Sequence, residues 1–381
     1  MAQDYVADVL IVGAGIVGIA TALAYGKRGL KVVVFERNPQ AVGASIRNFG
    51  MVWPIGQPEG KLYNRALKSR EIWLNLAKKA DFYASQDGSL HLVYHQDELA
   101  VIEEYIASRQ DSQNSTQLLT PQQVNDKSQA VNFNGLLGAL WSSTEVIVDP
   151  REAIQKIPQY LATAYNINFQ FETVVTEISS PKLIAGGKVW QGNKIIVCSG
   201  ADFETLYPEV FAKIDITKVK LQMMRTIAQP HQWKLGPALC GGLTLTHYYS
   251  FAQCPSLPHL RERIAKETPH FPQWGIHVMM SQNGLGELII GDTHEYGLNP
   301  DPFDKVELNQ YILNYLQTFA DVPALEIAET WHGIYAKIPQ KTELVLHPEP
   351  EVSIINGLGG AGMTLSFGLA EEIAAGHYTD K

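Results

Sequence analysis

The sequence predicts a two-domain α/β protein, in which an α+β domain built on a mostly antiparallel sheet is inserted into a domain of parallel βα units. Three observations carry this. Residues 8–12, 16–28 and 31–35 read as strand, small-residue helix and β-branched strand, the βαβ unit of a parallel sheet. The same βα texture returns in the middle of the chain and at its end. Between these stretches, residues 219–290 alternate short β-branched and aromatic runs with Gly and Pro breaks, as an antiparallel sheet does. The expected division is residues 1–80, 145–218 and 326–381 for the first domain, and 81–144 and 219–325 for the second.

The remaining elements follow in order. Residues 62–79 mix polar and apolar positions at helical spacing, 91–94 read as a strand, and 97–109 as an amphipathic helix. Residues 111–129 are rich in Gln, Asn and Ser and read as surface, with a short helix started by Thr120 and Pro121. Asp149, Pro150 and Arg151 open a helix to about residue 165. Strands are expected at 169–175, 194–197 and 352–355, and helices at 305–319 and 364–375.

Composition narrows the function. Hydrophobic residues make up 45% and charged residues 18%, which fits a packed globular core and excludes a disordered chain. The net charge of −9 speaks against a nucleic-acid partner. Cys198, Cys240 and Cys254 are an odd set that fits a reducing compartment. The first residues show no cleavable leader and no apolar run is long enough to span a bilayer, so a cytoplasmic location is expected. No feature fixes an oligomeric state.

Gly13, Gly15 and Gly18 form G-x-G-x-x-G between a strand and a helix. The first glycine permits the tight turn, the second lets backbone approach a pyrophosphate, and the third lets helix and strand pack closely. The helix N-terminus supplies free N–H groups and a positive dipole end. Ala22, Gly29 and then Glu36 at the end of the second strand extend the pattern; the carboxylate suits ribose hydroxyls and repels a 2′-phosphate. This makes the first domain Rossmann-like. Glycines alone do not separate NAD from FAD. A small, polar segment from Gly43 to Met51 and a second glycine loop, Gly357 to Thr364, lean to FAD, because a helix N-terminus after that loop suits the pyrimidine edge of a reduced flavin. A plain turn and helix cap is the alternative for the second loop.

Residues 9–36, 44–51, 195–201, 331–334 and 356–366 resemble, in order and spacing, the FAD-dependent oxidoreductase family of D-amino-acid oxidase, glycine oxidase and monomeric sarcosine oxidase. The resemblance implies a FAD-binding domain and a smaller sheet-rich substrate domain with the flavin between them. It places Gly13, Gly15, Ile16, Val17 and Gly18 on the pyrophosphate, and Glu36 and Arg37 by the ribose. Ala44, Ser45, Asn48, Phe49, Gly50 and Met51 would run along the flavin, and Val175 would meet the adenine. Cys198, Ser199 and Gly200 would lie near the ribose and pyrophosphate. Gly333 and the loop of Leu358, Gly359, Gly360, Ala361, Gly362, Met363 and Thr364 would lie at the flavin ring.

A narrower resemblance is to a subgroup associated with phosphonate breakdown, carried by residues 45–57, 291–297 and 331–335. It implies oxidation of a small anionic amine, 2-aminoethylphosphonate or its N-alkyl derivatives, to phosphonoacetaldehyde. Family amino-acid oxidases usually carry a carboxylate-clamping arginine four residues after the tryptophan Trp331; here that position is Tyr335. Glycine, sarcosine or D-amino-acid oxidation is the alternative. No cysteine follows Cys254, so a C-terminal cysteinyl flavin is absent.

Donors for an anionic head are Arg47 and Arg225, each also readable as a salt-bridge partner, and Lys337, more readily a solvent lysine. His277 and His294 flank a predicted hairpin through residues 283–286, and could touch substrate or be satisfied core groups. Tyr335, with Tyr248 and Tyr296, could bond head-group oxygens or serve as aromatic core. His247 and His332 complete the histidine set, but no close pair with a third ligand stands out, so no metal is expected.

Overall fold

The structure, a computed structural model, describes residues 5–109 and 115–379. Residues 1–4, and the part of the expected 111–129 surface stretch from 111 to 114, lie outside the described residues.

Strand β1 (Tyr5–Val12), helix α1 (Ile16–Gly26) and strand β2 (Val32–Phe35) form the expected βαβ unit. β1 lies between β2 and the strand Lys188–Val197, parallel to both, and Asn168–Gln170 and Val352–Asn356 extend the parallel core on either side. Val12 pairs with Phe35 and Val197, and Val197 with Ile354, so the carboxyl ends of four strands stop side by side. A crevice outside such ends is where open α/β sheets bind ligands. Antiparallel strands Val175–Ser179, Lys182–Ala185 and Leu344–Leu346 complete eight strands.

Apolar helices cover one face of this sheet. α1 is buried on nearly every side, between the sheet and the helix Gly362–Ala374, and the helices Lys61–Ala80 and Pro150–Tyr165 flank them. Asp149 caps the last of these, accepting from the N–H groups of Arg151 and Glu152. The Arg65 side chain is fully buried and makes a two-pronged bond to Glu372 and a third bond to Glu343, tying Lys61–Ala80 to the C-terminal helix.

The second sheet has nine strands, antiparallel except where Ser89–Val93 runs parallel to Ala238–Cys240. Its long strand Thr217–Ala228 pairs along its length with Ile327–Lys337. Residues 327–337 therefore belong to the second sheet, whereas residues 326–381 were expected wholly in the first domain; edge-to-edge pairing across the sequence overrides the boundary read from the glycine loop that follows. Successive side chains of Thr217–Ala228 alternate between faces. Leu221 and Met223 look into the crevice, while Lys220 and Gln222 bond the segment leading into the helix Val306–Phe319. The helices Gln96–Ser108 and Leu257–Glu267 pack against each other over the same domain.

Two local expectations differ. The strand expected at 169–175 is broken by a turn at Glu172 (φ +53), whose neighbour Thr173 donates to the Glu36 carbonyl at 2.8 Å. The stretch 219–290 holds the helix Leu257–Glu267 among its strands, with a proline in its first turn. Among the described residues no helix is long and apolar enough to cross a membrane.

Candidate functional site

A continuous cavity of about 1290 Å³ runs from the carboxyl ends of the first sheet to the inner face of the second. Its first half is built from backbone. Gly13 has φ +97, and a Cβ there would sit 2.4 Å from the Cys198 carbonyl, so the turn after β1 closes on the turn after Lys188–Val197 only with glycine. The N-terminus of α1 has no side-chain cap at Gly15 and opens on the cavity. Ile16 N–H donates to Ser45 Oγ at 2.9 Å. Glu36, at the end of β2, accepts from Ala14 N–H at 3.0 Å and from both nitrogens of Asn38 at 3.1 Å. Arg37 is ion-paired with Asp202 beside it.

Val17, Ala44, Asn48, Phe49, Met51, Val175, Ser199 and Gly200 all line the cavity. Two expected cofactor residues do not. Gly18 packs against the turn itself, where a Cβ would lie 1.9 Å from the Gly13 carbonyl. Gly50 (φ +72) packs against the Val148 carbonyl, which a Cβ would approach to 2.0 Å. Both glycines serve close backbone packing rather than contact with a ligand. Asn38 and Asn356 line the cavity without having been singled out; Asn356 donates to the Gly200 carbonyl at 2.9 Å and joins the two loops.

The second glycine loop enters halfway along. Leu358, Gly359, Gly360, Ala361, Gly362, Met363 and Thr364 line the cavity, and the helix Gly362–Ala374 starts there without a side-chain cap. Thr364 Oγ1 accepts from Trp53 N–H at 2.9 Å, and the Met363 carbonyl from Trp73 Nε1 at 2.8 Å, so the loop is held from behind. Gly333 lies against the Arg47 backbone, with a Cβ there 3.0 Å from its carbonyl oxygen. Two uncapped helix N-termini, an acidic strand end and an elongated cavity fit an extended dinucleotide such as FAD.

The far end is built from side chains of the second sheet. Tyr335 rests against Gly359 and Gly360, and Lys337 donates to Tyr296 Oη at 3.3 Å. Arg47 donates to the His332 carbonyl at 3.3 Å. Among the described residues neither Arg47 nor Lys337 has a carboxylate within 4.0 Å, and both line the cavity. Arg225 does not reach it. That residue follows Met223 on the same face, past the end of the cavity, and is held by Glu287 at 3.0 Å and Glu329 at 2.6 Å. The expectation of a substrate cation there is corrected: its charge is spent between neighbouring strands.

His277 and His294 do flank one hairpin, since Met279 pairs with Gly291. His247, which follows the short 3-10 segment Gly242–Thr246, joins them. Its ring centroid lies 3.7 Å from that of His277 and 4.7 Å from that of His294. One nitrogen of each ring falls within 4.8 Å of the others, so the expectation that no third ligand accompanies the pair is overturned. No local pattern marks His247 as their neighbour; only the fold of residues 242–247 brings it there.

Burial sets the protonation. His277 and His247 are held well below the usual imidazole range by burial first and then by neighbouring cationic or potentially cationic groups. His294 is pushed down to about 4 by burial, with the Gly275 carbonyl opposing and Lys337 adding. Burial raises the Asp292 carboxyl well above its usual range, and burial followed by Asp292 does the same for Tyr335. Near neutral pH the far end therefore presents neutral imidazoles, phenolic hydroxyls and two cations. Such a lining favours a small anion.

Among the solved structures that share the architecture are three amine-oxidising enzymes by name. Glycine oxidase from Geobacillus kaustophilus superposes with a TM-score of 0.77 at 20% identity, covering 98% of this chain and 96% of that one. L-Proline dehydrogenase from P. horikoshii gives 0.76 at 21% identity, covering 98% and 93%. Glycine oxidase from Bacillus cereus gives 0.75 at 19% identity, covering 98% and 96%. At these identities the likeness concerns the fold. No curated protein matches the chain. The model of the family described as FAD dependent oxidoreductase matches residues 8–375. With a dinucleotide crevice at one end of the cavity and side chains of the second sheet at the other, the chain belongs to the FAD-dependent oxidoreductase family, and FAD is its cofactor.

Proposed function

We propose that the protein oxidises a small amine with an anionic head group, 2-aminoethylphosphonate or one of its N-alkyl derivatives, to phosphonoacetaldehyde. The observation that carries the reading is the far end of the cavity. Tyr335 stands where a carboxylate-clamping arginine is expected, and the cations Arg47 and Lys337 line the wall without carboxylate partners.

Held by the two glycine loops, Ser45 and Glu36, FAD would supply the two-electron oxidation of the amine to an imine, which water splits into aldehyde and amine. The chain's own part is placement and exclusion. Arg47 and Lys337 attract the doubly charged head, and Tyr335, which lines the cavity, offers a hydroxyl to its oxygens. Leu221, Met223 and Met279 give the chamber apolar walls, which strengthen those charge contacts by removing water. Orientation is the main contribution such a chamber makes.

Anaerobic mixing of the FAD-loaded protein with N-methyl-2-aminoethylphosphonate should bleach the flavin. An unchanged spectrum there, with bleaching by glycine, sarcosine or a D-amino acid, would return the protein to amino-acid oxidation, as in the two glycine oxidases of the same fold.

A further inference from the structure

We infer that His247, His277 and His294 form a three-imidazole site for a late first-row divalent cation such as Zn²⁺, with its fourth position open to the cavity. Each ring offers one nitrogen within 4.8 Å of the other two. Three imidazoles plus one open position is the ligand set such ions take where they bind an exogenous oxygen.

Of the two inner rings, that of His294 is held from behind, as metal-ligating histidines are. His294 Nδ1 lies 2.9 Å from the Gly275 carbonyl, which fixes the proton on that nitrogen and leaves Nε2 as the donor. His277 Nε2 lies 3.2 Å from Asp292 Oδ1 without a hydrogen bond between them, and His277 Nδ1 is buried with no hydrogen-bond partner. A buried ring nitrogen left unpaired is costly, and a cation satisfies it. His247 is half-buried, and its ring makes no hydrogen bond among the described residues, so it is the ligand free to turn. At present its ring packs 29° from parallel with that of His277, and a rotation about its side chain brings its nitrogen to the shared ion.

Lys337 faces the same cluster, lines the same cavity and opposes a bare dication. A doubly charged oxyanion on the open position offsets both charges. Metal and anion therefore bind cooperatively, each raising the other's affinity by one shared factor. The role of the ion, holding one oxygen of the substrate's head, rests on the proposed function; the site itself does not.

The test uses the FAD-loaded protein, stripped with a chelator and dialysed, then titrated with Zn²⁺ and, for a spectrum, with Co²⁺. The expected result is one Zn²⁺ per chain and Co²⁺ bands on the red side of oxidised-flavin absorption. His277→Ala and His294→Ala should abolish both while keeping the flavin spectrum. Asp292→Asn should weaken Zn²⁺ by about tenfold to a hundredfold, and His247→Ala, at the half-buried position, repeats the loss where the inner variants fail to fold. Methylphosphonate should tighten Zn²⁺ in the wild type. Zn²⁺ binding no better than in His294→Ala overturns the inference. If that happens while the stripped protein is still bleached by N-methyl-2-aminoethylphosphonate, the substrate reading survives alone; if Zn²⁺ binds and no aminophosphonate bleaches the flavin, the metal site stands and the substrate reading falls.

Discussion

Replacing Gly18 with alanine tests how the cofactor crevice is made. The added Cβ would lie 1.9 Å from the Gly13 carbonyl oxygen and 3.0 Å from its carbon, against 3.4 Å or more for ordinary contact. Both partners are backbone, so no side-chain rotation relieves the overlap. Either α1 moves outward by more than 1 Å or the turn at Gly13 opens, and Gly13 is itself pinned against the Cys198 carbonyl at φ +97. Overpacking of this kind costs about 1–3 kcal/mol. Either movement also shifts the N-terminus of α1 relative to the pyrophosphate position. If about 2 kcal/mol of that cost falls on the bound state, FAD affinity drops roughly thirtyfold. The assay is flavin fluorescence quenching on titration of apoprotein, run beside a thermal melt. Gly297→Ala is the control, since a Cβ there meets nothing within 4 Å; it should stay within about 0.5 kcal/mol of wild type. A Gly18→Ala protein that binds FAD within twofold of wild type and melts at the same temperature would refute the packing argument.

Other substitutions separate stability from binding. Arg65→Met strands the carboxylates of Glu343 and Glu372 near a buried interface and should lower stability by about 3 kcal/mol in urea unfolding, the lower end for a broken buried pair because Glu372 keeps some water contact. Lys337→Met should weaken aminophosphonate binding by about tenfold, or ~1.4 kcal/mol, with FAD content unchanged, as followed by the flavin spectrum. Arg225→Met should lower the melting temperature without moving the substrate KM, because its partners are Glu287 and Glu329. Asp97 gives a pH dependence. Burial alone would raise its pKa, but the Arg263 guanidinium and the Glu98 N–H together bring it below the usual carboxylate range. A depressed folded-state pKa contributes stability that is present above the unfolded value and lost as pH falls through the folded one. Denaturant midpoints should therefore fall on acidification below about pH 4, and Asp97→Asn should flatten that limb.

The parts of the fold legible in the sequence are those whose physics is local. β1, α1 and β2 announce themselves because a parallel strand buried on both faces, a tight glycine turn and an apolar helix each restrict neighbouring residues. Asp149 and Thr120 are readable as caps for the same reason, and both cap their helices. The helix Leu257–Glu267 carried its signal too, with Leu257, Leu260 and Ile264 buried at helical spacing. Its proline and the strand-rich surroundings masked it. Pairing of Thr217–Ala228 with Ile327–Lys337 has no local mark, since the partners are about a hundred residues apart and each is merely rich in β-branched and apolar residues. The same limit governed the site. His277 and His294 were readable as neighbours because a hairpin joins them, whereas His247 comes from a separate segment. Arg225 was readable as a strand cation, but where the cavity ends along that strand depends on the whole sheet.

The decisive comparison keeps the carbon chain constant and changes only its head. N-Methyl-2-aminoethylphosphonate and N-methyl-β-alanine differ in carrying a phosphonate or a carboxylate at the same position. The rate of anaerobic flavin reduction, measured for both by stopped flow, should be at least tenfold higher per unit concentration for the phosphonate. Equal rates, or faster reduction by the carboxylate, would contradict the assignment of the chamber formed by Arg47, Lys337 and Tyr335.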